Sequence, residues 1–291
     1  MNKKIVMSLS VIAAAAAVVI GGTSAFFSDT ETSTGNTFTA GAIDLKVDSQ
    51  QHYNNAICVV HEANPDKPVS YWWQLAPGQT ATVPQYPRIG SQCDGTWTET
   101  DLGAQTFFNF GDVKPGDSGE NTISLHVVNN DAWACVDVAV TKNDDVSSTE
   151  PELDNTGDVA DTSNLFDGEL AQNVYFTAWA DDGDNIWEGG EPLLFSNKSG
   201  PASDVLGGKT YALADVTTGG VPMTGGVTNY IGLAWCAGQQ TVDTNTNTIT
   251  CDNTSMGNDV QTDSMEASVA FRVVQARNNA GYVCRGLLIE L

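Results

Sequence analysis

The sequence predicts an all-β fold, an antiparallel β-sandwich of jelly-roll-like type. Apolar and polar residues alternate in several short runs, which is the period of a strand with one buried face. Clusters rich in Gly, Asn and Asp separate these runs, and helical periodicity is rare after the first 25 residues. Turn residues between alternating runs are typical of sandwiches, so we expect long acidic loops and one or two short helices around the strands.

Alternation is clearest in five runs. In the first, Ile43, Leu45 and Val47 alternate with Asp44 and Lys46. The five runs are residues 43–47, 123–127, 136–140, 174–180 and 269–273, and residues 230–236 read as a short, mostly apolar strand. Four tryptophans lie in or beside predicted strands, and we expect them to support the core rather than stack on sugars. They are Trp133, Trp179, Trp187 and Trp235.

The segments between the strands predict the domain organisation. Residues 41–291 are expected to form the sandwich, with loop insertions at about 49–106, 142–162 and 198–226. The second insertion is rich in Asp, Asn, Ser and Thr and has little apolar surface to bury, so it predicts a mobile surface loop. A short helix is expected over residues 163–173, because Ser163 or Asn164 can cap it.

The N-terminus has the pattern of an export signal. Lys3 and Lys4 precede an apolar run over residues 5–20, and small residues follow up to Ala25. We therefore predict a signal peptide over residues 1–25, cleaved by a signal peptidase between Ala25 and Phe26. The apolar run falls short of the ~20 residues of a comfortable membrane span. An uncleaved anchor is the alternative; cleavage would leave a secreted chain with no stable membrane span.

Residues 26–40 form a Thr-rich and Ser-rich arm with three aromatic residues. Threonine favours extended backbone, but the arm has too little apolar area to fold alone. It is therefore either a disordered tail or a donor strand that adds to a sheet edge of a neighbouring subunit. Such a contact is head-to-tail and open, so it would build a homopolymer. The candidate donor residues are Phe27, Thr30, Thr32, Thr34 and Phe38.

Two motifs resemble one known family. Residues 26–47 begin Phe-Phe-Ser-Asp-Thr, continue with Thr-Phe-Thr-Ala-Gly and end in Asp-Leu-Lys-Val. Further on, Pro115-Gly116-Asp117 leads into a strand that ends in Asn129-Asn130. Both resemble the TasA and camelysin family of exported fibre and biofilm-matrix proteins. The resemblance implies an extracellular filament subunit processed by a dedicated signal peptidase. Camelysin itself is described as a metallopeptidase, so the resemblance also raises that activity.

The charge balance excludes some partners. The chain has 12 basic and 36 acidic residues and a formal net charge of -24. Nucleic acid phosphates and anionic membrane surfaces would repel such a chain. Its acidic surface either binds divalent cations or keeps an extracellular protein soluble, for instance in a salty habitat.

All six cysteines lie after the predicted signal, and an even number in an oxidising compartment indicates disulfides. We predict the pairs Cys58–Cys93 and Cys236–Cys251, because each brackets one local loop. The remaining pair is Cys135–Cys284. A zinc site is the alternative, although the chain has no Cys-x-x-Cys spacing and its three histidines are scattered.

Residues 181–191, named here the acidic turn, have five carboxylates in eleven positions. Calcium prefers several hard oxygen ligands, and Gly183 would allow a short loop to wrap around the ion. We therefore predict calcium as a cofactor, although the register is not that of an EF-hand. A solvated acidic turn is the alternative. The predicted ligands are Asp181, Asp184, Glu188 and Glu191.

Motifs of known enzymes give little support for catalysis. His61-Glu62 is followed by Ala-Asn-Pro, so the second histidine of a His-Glu-x-x-His zinc helix is missing. No Gly-x-Ser-x-Gly elbow is present. We therefore expect a structural protein and no enzyme. A monomeric surface-binding module that uses Tyr71-Trp72-Trp73 and a camelysin-like metallopeptidase remain as alternatives.

Overall fold

The computed structural model describes residues 43–61, 69–103, 105–155, 157–196 and 198–286. They belong to one compact unit that begins at Ile43. The predicted signal peptide, the cleavage site between Ala25 and Phe26 and the arm 26–40 lie outside the described residues. The described chain is mostly β, with antiparallel sheets and short helices, which confirms the predicted all-β sandwich.

The regular elements of the described chain follow in chain order. The strands are β1 (Asp44–Tyr53), β2 (Ala56–His61), β3 (Ser70–Leu75), β4 (Gln92–Cys93), β5 (Trp97–Thr100), β6 (Ser118–Val128), β7 (Ala132–Asp145), β8 (Val174–Asp181), β9 (Ser199–Pro201), β10 (Lys209–Ala214), β11 (Thr228–Ala237), β12 (Gln239–Asp243), β13 (Thr248–Asp252) and β14 (Asp263–Gln275). The helices are α1 (Glu150–Asn155), α2 (Leu170–Asn173) and α3 (Ala202–Val205), and single 3-10 turns lie at Asn253–Ser255 and Asn258–Val260.

Within the described residues, one sheet has nine strands in the order β4-β3-β2-β1-β6-β11-β8-β9, with β5 also on β1. Its longest ladders join β1 to β6 and β6 to β11. One edge of β1 is shared, because β5 pairs beside Val47 and Ser49 while β2 pairs beside His52 and Tyr53. The middle of this sheet therefore pairs β1, the first strand after residues 26–40, with β6, the strand that follows the Pro-Gly-Asp motif.

A second sheet has three strands in the order β10-β7-β14. Buried residues of both sheets, such as Val47, Leu125 and Trp133, belong to one hydrophobic core. Phe107 links the sheets, because its ring lies 5.0 Å from that of Trp97 on β5 and 6.4 Å from that of Phe271 on β14. A two-stranded hairpin, β12-β13, is separate from both sheets.

The four tryptophans are in the protein interior, as predicted. Trp133, Trp179, Trp187 and Trp235 are each at most 7% exposed. Trp179 packs against Gly232 of the neighbouring strand, where an added Cβ would lie 2.1 Å from the indole ring. Glycine is therefore required at position 232 for this tryptophan to fit, and the pair supports the strand end that carries the acidic turn.

The segment 49–106, predicted as a loop insertion, contributes strands to the large sheet. It completes β1 and contains β2, β3, β4 and β5. Apolar and aromatic residues face each other across β2 and β3, as in the pairs Cys58–Trp73 and Val59–Trp72. Such cross-strand pairs stabilise a sheet, so this segment extends the sandwich instead of looping out of it.

The loop predicted over 142–162 was wrong for part of its length. β7 continues to Asp145, and α1 begins at Glu150. Asn143, Asp145 and Glu152 are buried, although the segment has little apolar surface. Hydrogen bonds replace apolar contacts here, because Asn143 Oδ1 accepts from Ala171 N at 2.8 Å. Asn143 N also donates to Leu165 O at 2.9 Å.

Two further boundaries differ from the prediction. The helix expected over 163–173 is confined to α2, because part of the stretch before it bonds to Asn143 near the end of β7. For example, Gly168 N donates to Asn143 O at 2.9 Å. The predicted insertion 198–226 contains β9, α3 and β10 before its glycine-rich part.

The Pro-Gly-Asp motif is a tight turn that joins two strands to the start of β6. Gly116 has a positive φ of 90°, a conformation that favours glycine. Asp117 accepts hydrogen bonds from Tyr53 Oη at 2.7 Å and from Asn54 Nδ2 at 2.6 Å. Gly116 N donates to Ala237 O at 2.7 Å. The motif therefore fixes the ends of β1 and β11 beside the first residue of β6.

Three disulfides pair the cysteines as predicted: Cys58–Cys93, Cys135–Cys284 and Cys236–Cys251. The first joins β2 to β4, and the second joins β7 to the C-terminal segment. The third closes a 15-residue separation between β11 and β13, which contributes about 3 kcal/mol in the chain-entropy account.

Membrane-spanning helices were sought in the described ranges as well. No helix there is both long and apolar enough to cross a bilayer.

Candidate functional site

The small sheet presents a long open edge. β14 is 13 residues long and pairs with β7 along its whole length, from Asp263–Asp145 to Gln275–Ala132. Within the described residues no strand pairs with its other edge. An edge strand presents a row of backbone N–H and C=O groups that can pair with an added strand. This edge is therefore the candidate acceptor for an extended segment.

Only part of β14 is fixed by charged contacts. Near its C-terminal end, the Arg272 guanidinium binds Asp137 of β7, with Nη2 3.0 Å from Oδ1. Burial opposes ionisation of Asp137, but hydrogen bonds from Arg272 and Thr210 hold the pKa of that carboxyl below its ordinary value. In the middle of the strand, Ser268 and Ala270 are exposed. The open edge thus belongs to a strand that pairs only with β7 among the described residues.

The acidic turn follows β8 and is organised by its own backbone. Asp181 Oδ2 accepts from Gly183 N at 2.9 Å and from Asn185 N at 3.2 Å, while Oδ1 accepts from Trp179 Nε1 at 2.8 Å. Glu191 accepts from the backbone N–H groups of Asp182 and Glu188 at 3.0 and 2.8 Å. Hydrogen bonds inside the turn therefore occupy many of the oxygens that a calcium ion would need.

Two of the four predicted calcium ligands come together in the acidic turn. Asp181 and Asp184 each place an oxygen within 4.8 Å of the other and of one from Asp182. Sequence reasoning missed Asp182, although its place in the same Asp-Asp-Gly-Asp run was a usable signal. Among the described residues, Glu188 and Glu191 do not join this group.

A buried polar contact joins the acidic turn to the large sheet. Asn185 is 7% exposed. Its Nδ2 lies 3.2 Å from both Glu120 Oε2 on β6 and His52 Nδ1 on β1. Burial, with the charge of Asp181, raises the pKa of Glu120 to about 7. Burial lowers the pKa of His52. These residues position the turn, and sequence spacing gave no indication of the contact.

The three histidines occupy separate positions on the large sheet. His52 is opposite Glu120 on β6. His126 lies further along β6, opposite Lys46, and binds Asp48 at 2.6 Å. Six strand residues separate the two positions, which corresponds to about 20 Å. His61, at the end of β2, stacks on Trp72 with ring centroids 4.6 Å apart. This arrangement does not bring the histidines together as a set of metal ligands.

The aromatic block Tyr71-Trp72-Trp73 is part of β3. Trp73 is 5% exposed and belongs to the core. Tyr71 lines an open cleft of about 650 Å³ beside β5, together with Gln92, Asp94 and Glu99. The block therefore contributes one side chain to a surface cleft and another to the interior, rather than a continuous aromatic surface.

The described chain is a disulfide-linked β-sandwich with an open edge strand and an acidic turn. Residues 1–76 match the sequence model of the camelysin metallo-endopeptidase family. No curated protein matches the chain. The N-terminal match confirms the resemblance to the camelysin family, which includes TasA-like proteins. It fits an exported structural or matrix protein.

Proposed function

We propose that the chain is a secreted structural subunit that polymerises into extracellular filaments or biofilm matrix. Residues 26–40 of one subunit are the donor, and the open edge of β14 on the next subunit is the acceptor. The observation that carries this proposal is the open edge itself, which pairs with β7 on one side and with no strand on the other within the described chain.

The lengths of donor and acceptor support this pairing. The arm has 15 residues between the predicted cleavage site and the start of the sandwich, and β14 has 13. Strand addition obtains its affinity from backbone hydrogen bonds along this length, while Phe27 or Phe38 can fill side-chain pockets. Because arm and edge are different surfaces, each subunit uses both, and the contact propagates into a filament.

Truncation tests the donor. The mature chain starting at Phe26 should form filaments, and the same chain lacking residues 26–40 should remain a folded monomer. Electron microscopy and size-exclusion chromatography report the two outcomes. Added synthetic peptide 26–40 should shorten the filaments of the mature chain, whereas a scrambled peptide should not. Filaments of unchanged repeat from the truncated chain would contradict the proposal.

A pair of adjacent substitutions tests the acceptor. Successive residues of a strand direct their backbone N–H groups to opposite edges. Of the variants Val269→Pro and Ala270→Pro, one should therefore weaken the β7–β14 ladder and lower the melting temperature. The other should leave the monomer folded but stop filament growth. Normal filaments from the folded variant would exclude this edge as the acceptor.

A camelysin-like metallopeptidase is the second candidate, because the matched family is described as a metallo-endopeptidase. The spacing of His52, His61 and His126 on the large sheet gives it no support, so we propose a non-enzymatic protein. A casein-cleavage assay of the mature chain, with and without chelator, tests this. Chelator-sensitive cleavage that is lost in His126→Ala but not in the truncated arm variant would favour the peptidase.

A further inference from the structure

The ends of β7 and β14 bring carboxylates together from four parts of the chain. We define the buried acidic cluster as Asp145 at the end of β7, Asp158 after α1, Glu169 before α2, and Asp263 at the start of β14; Asp145 is buried and the other three are partly exposed. Asp145 and Asp263 are directly opposite in the β7–β14 ladder. Like charges at directly opposite positions destabilise a strand pair, so this end of the ladder needs a compensating interaction.

Three of these carboxylates have an oxygen without a hydrogen-bond partner among the described residues. These oxygens are Asp145 Oδ2, Glu169 Oε2 and Asp263 Oδ1. Asp145 is only 2% exposed, so water contributes little to its solvation. A buried carboxylate without a partner is costly, and native proteins rarely retain one unless another ligand is bound.

The other oxygen of Asp263 holds the surrounding backbone. Asp263 Oδ2 accepts from Glu169 N at 2.6 Å and from Leu170 N at 2.8 Å. Asp145 Oδ1 lies 3.5 Å from the hydroxyl of Thr262. Asp263 is thus held in place by one oxygen, while its Oδ1 has no partner among the described residues.

The charges around these side chains are negative. Burial, with the charges of Asp158 and other carboxylates, raises the pKa of Asp145. Burial and the neighbouring Asp158 also raise the pKa of Glu169 to about 8. Burial raises the pKa of Asp263 to about 6, although two backbone N–H groups act in the opposite direction. Lys142, on the same strand as Asp145, is paired with Asp144 at 3.0 Å.

We propose that the buried acidic cluster is a calcium site, with Asp145, Asp158, Glu169 and Asp263 as its ligands. Calcium takes about six to eight oxygen ligands in flexible geometry, which four carboxylates can largely supply. Magnesium requires a near-ideal octahedron and retains several waters, so it suits such a set less well. The bound ion would join the ends of β7 and β14 to the segment between α1 and α2, which contains Asp158 and Glu169.

The acidic turn differs in how its oxygens are used. Its three clustered carboxylate oxygens already lie within 4.8 Å of one another, but the turn's own N–H groups hold several of the neighbouring oxygens. In the buried acidic cluster the unpartnered oxygens are spare, and an ion would draw them to ligating distance. Calcium binding should therefore depend on the cluster and not on the turn.

Calorimetric titration of the disulfide-intact mature chain, stripped of metal and then titrated with calcium chloride, tests this. The wild type should bind calcium, and the affinity should fall at least tenfold in both Asp145→Asn and Glu169→Gln. The exposed turn variant Asp184→Asn is the matched control and should bind like the wild type. An equal concentration of magnesium chloride should bind more weakly than calcium.

Folding of the variants is checked by far-ultraviolet circular dichroism in chelator. If Asp145→Asn fails to fold, Glu169→Gln decides, because Glu169 is only partly buried and its substitution should disturb the fold less. No binding by the wild type at millimolar calcium would overturn the proposal. Unchanged affinity in the folded cluster variants, or loss of binding in Asp184→Asn alone, would also overturn it.

Discussion

Two positions along the β7–β14 ladder differ in how buried carboxylates are compensated. In the middle of the ladder, opposite Ala270, Asp137 binds the Arg272 guanidinium through both of its oxygens and also accepts from Thr210 Oγ1 at 2.5 Å. At one end of the ladder Asp145 faces Asp263, and each has an oxygen without a hydrogen-bond partner among the described residues. The same two strands therefore contain one neutralised site and one that accumulates negative charge.

This difference indicates where a cation would act in an acidic protein. With 36 acidic and 12 basic residues, the chain cannot pair every carboxylate with a side chain. Exposed carboxylates are solvated by water at little cost, but buried ones need a donor or an ion. Arg272 supplies the donor for Asp137 in the middle of the ladder, and we propose that calcium supplies the compensation at the end that contains Asp145 and Asp263.

The largest effect is expected from removing Arg272, the partner of Asp137 in the middle of the ladder. Asp137 has a side chain that is only 10% exposed, so Arg272→Gln leaves a buried charge unpaired. The free energy of unfolding should fall by about 3 kcal/mol. Urea denaturation of the disulfide-intact chain measures this. A second change, Asp137→Asn in the same variant, should restore part of the loss.

Lys114→Gln is the control for that change. Lys114 pairs with Asp112 at the surface, where both side chains are at least 60% exposed. Such pairs contribute at most about 1 kcal/mol. Equal losses of unfolding free energy in Arg272→Gln and Lys114→Gln would mean that burial does not distinguish the two ion pairs. The comparison between Asp137 and Asp145 would then have no support.

At the end of the ladder that contains Asp145, the substitution Asp145→Asn should change the free energy of unfolding in a direction that depends on calcium. In chelator the substitution removes like-charge repulsion, so the free energy of unfolding should rise by about 2 kcal/mol at an effective dielectric constant of about 20. In saturating calcium it removes a ligand, and the same variant should be less stable than the wild type. Denaturation curves with and without calcium would show the crossing. A change of the same sign in chelator and in calcium would contradict the proposal that Asp145 is a calcium ligand.

A smaller effect is expected from acid. The pKa of Asp137 in the folded chain lies below its ordinary value of 3.8. Its ion pair therefore stabilises the fold at higher pH, and this stabilisation is lost as pH falls from that value through the lower folded pKa. Asp137→Asn should be less sensitive to pH over this acidic range. If the free energy of unfolding depended on pH in the same way in the variant and the wild type, the Asp137–Arg272 pair would not contribute to acid sensitivity.

Much of the sandwich could be predicted from local patterns. The alternation at Ile43–Val47 and at Val269–Val273 reports burial of one face, and both runs are strands. Cysteine spacing gave the three disulfides, because two pairs bracket local loops and the third was left. The strands β2 to β5 were missed because their pairing depends on partners elsewhere in the sheet, and the alternation there is short.

The polar sites were harder to predict. The acidic turn is contiguous, so its composition is visible in the sequence. The buried acidic cluster is assembled from residues 145, 158, 169 and 263, which only the β7–β14 register and the loop around Asn143 bring together. The segment 142–162 looked like a solvated loop because polar residues are usually exposed. Its first part is buried instead, where β7 continues to Asp145 and Asn143 bonds to the segment before α2.

The smallest effect is expected in the acidic turn. Asp184 is exposed and its carboxylate accepts from Ile186 N at 2.9 Å, a local bond that Asn at this position can also accept. Asp184→Asn should therefore change the free energy of unfolding by less than about 0.5 kcal/mol, both in chelator and in calcium. Matched denaturation curves measure this. A calcium-dependent loss as large as that of Asp145→Asn would instead make the turn the place where the protein binds its cation, and the unpartnered oxygens of the cluster would need protons rather than metal.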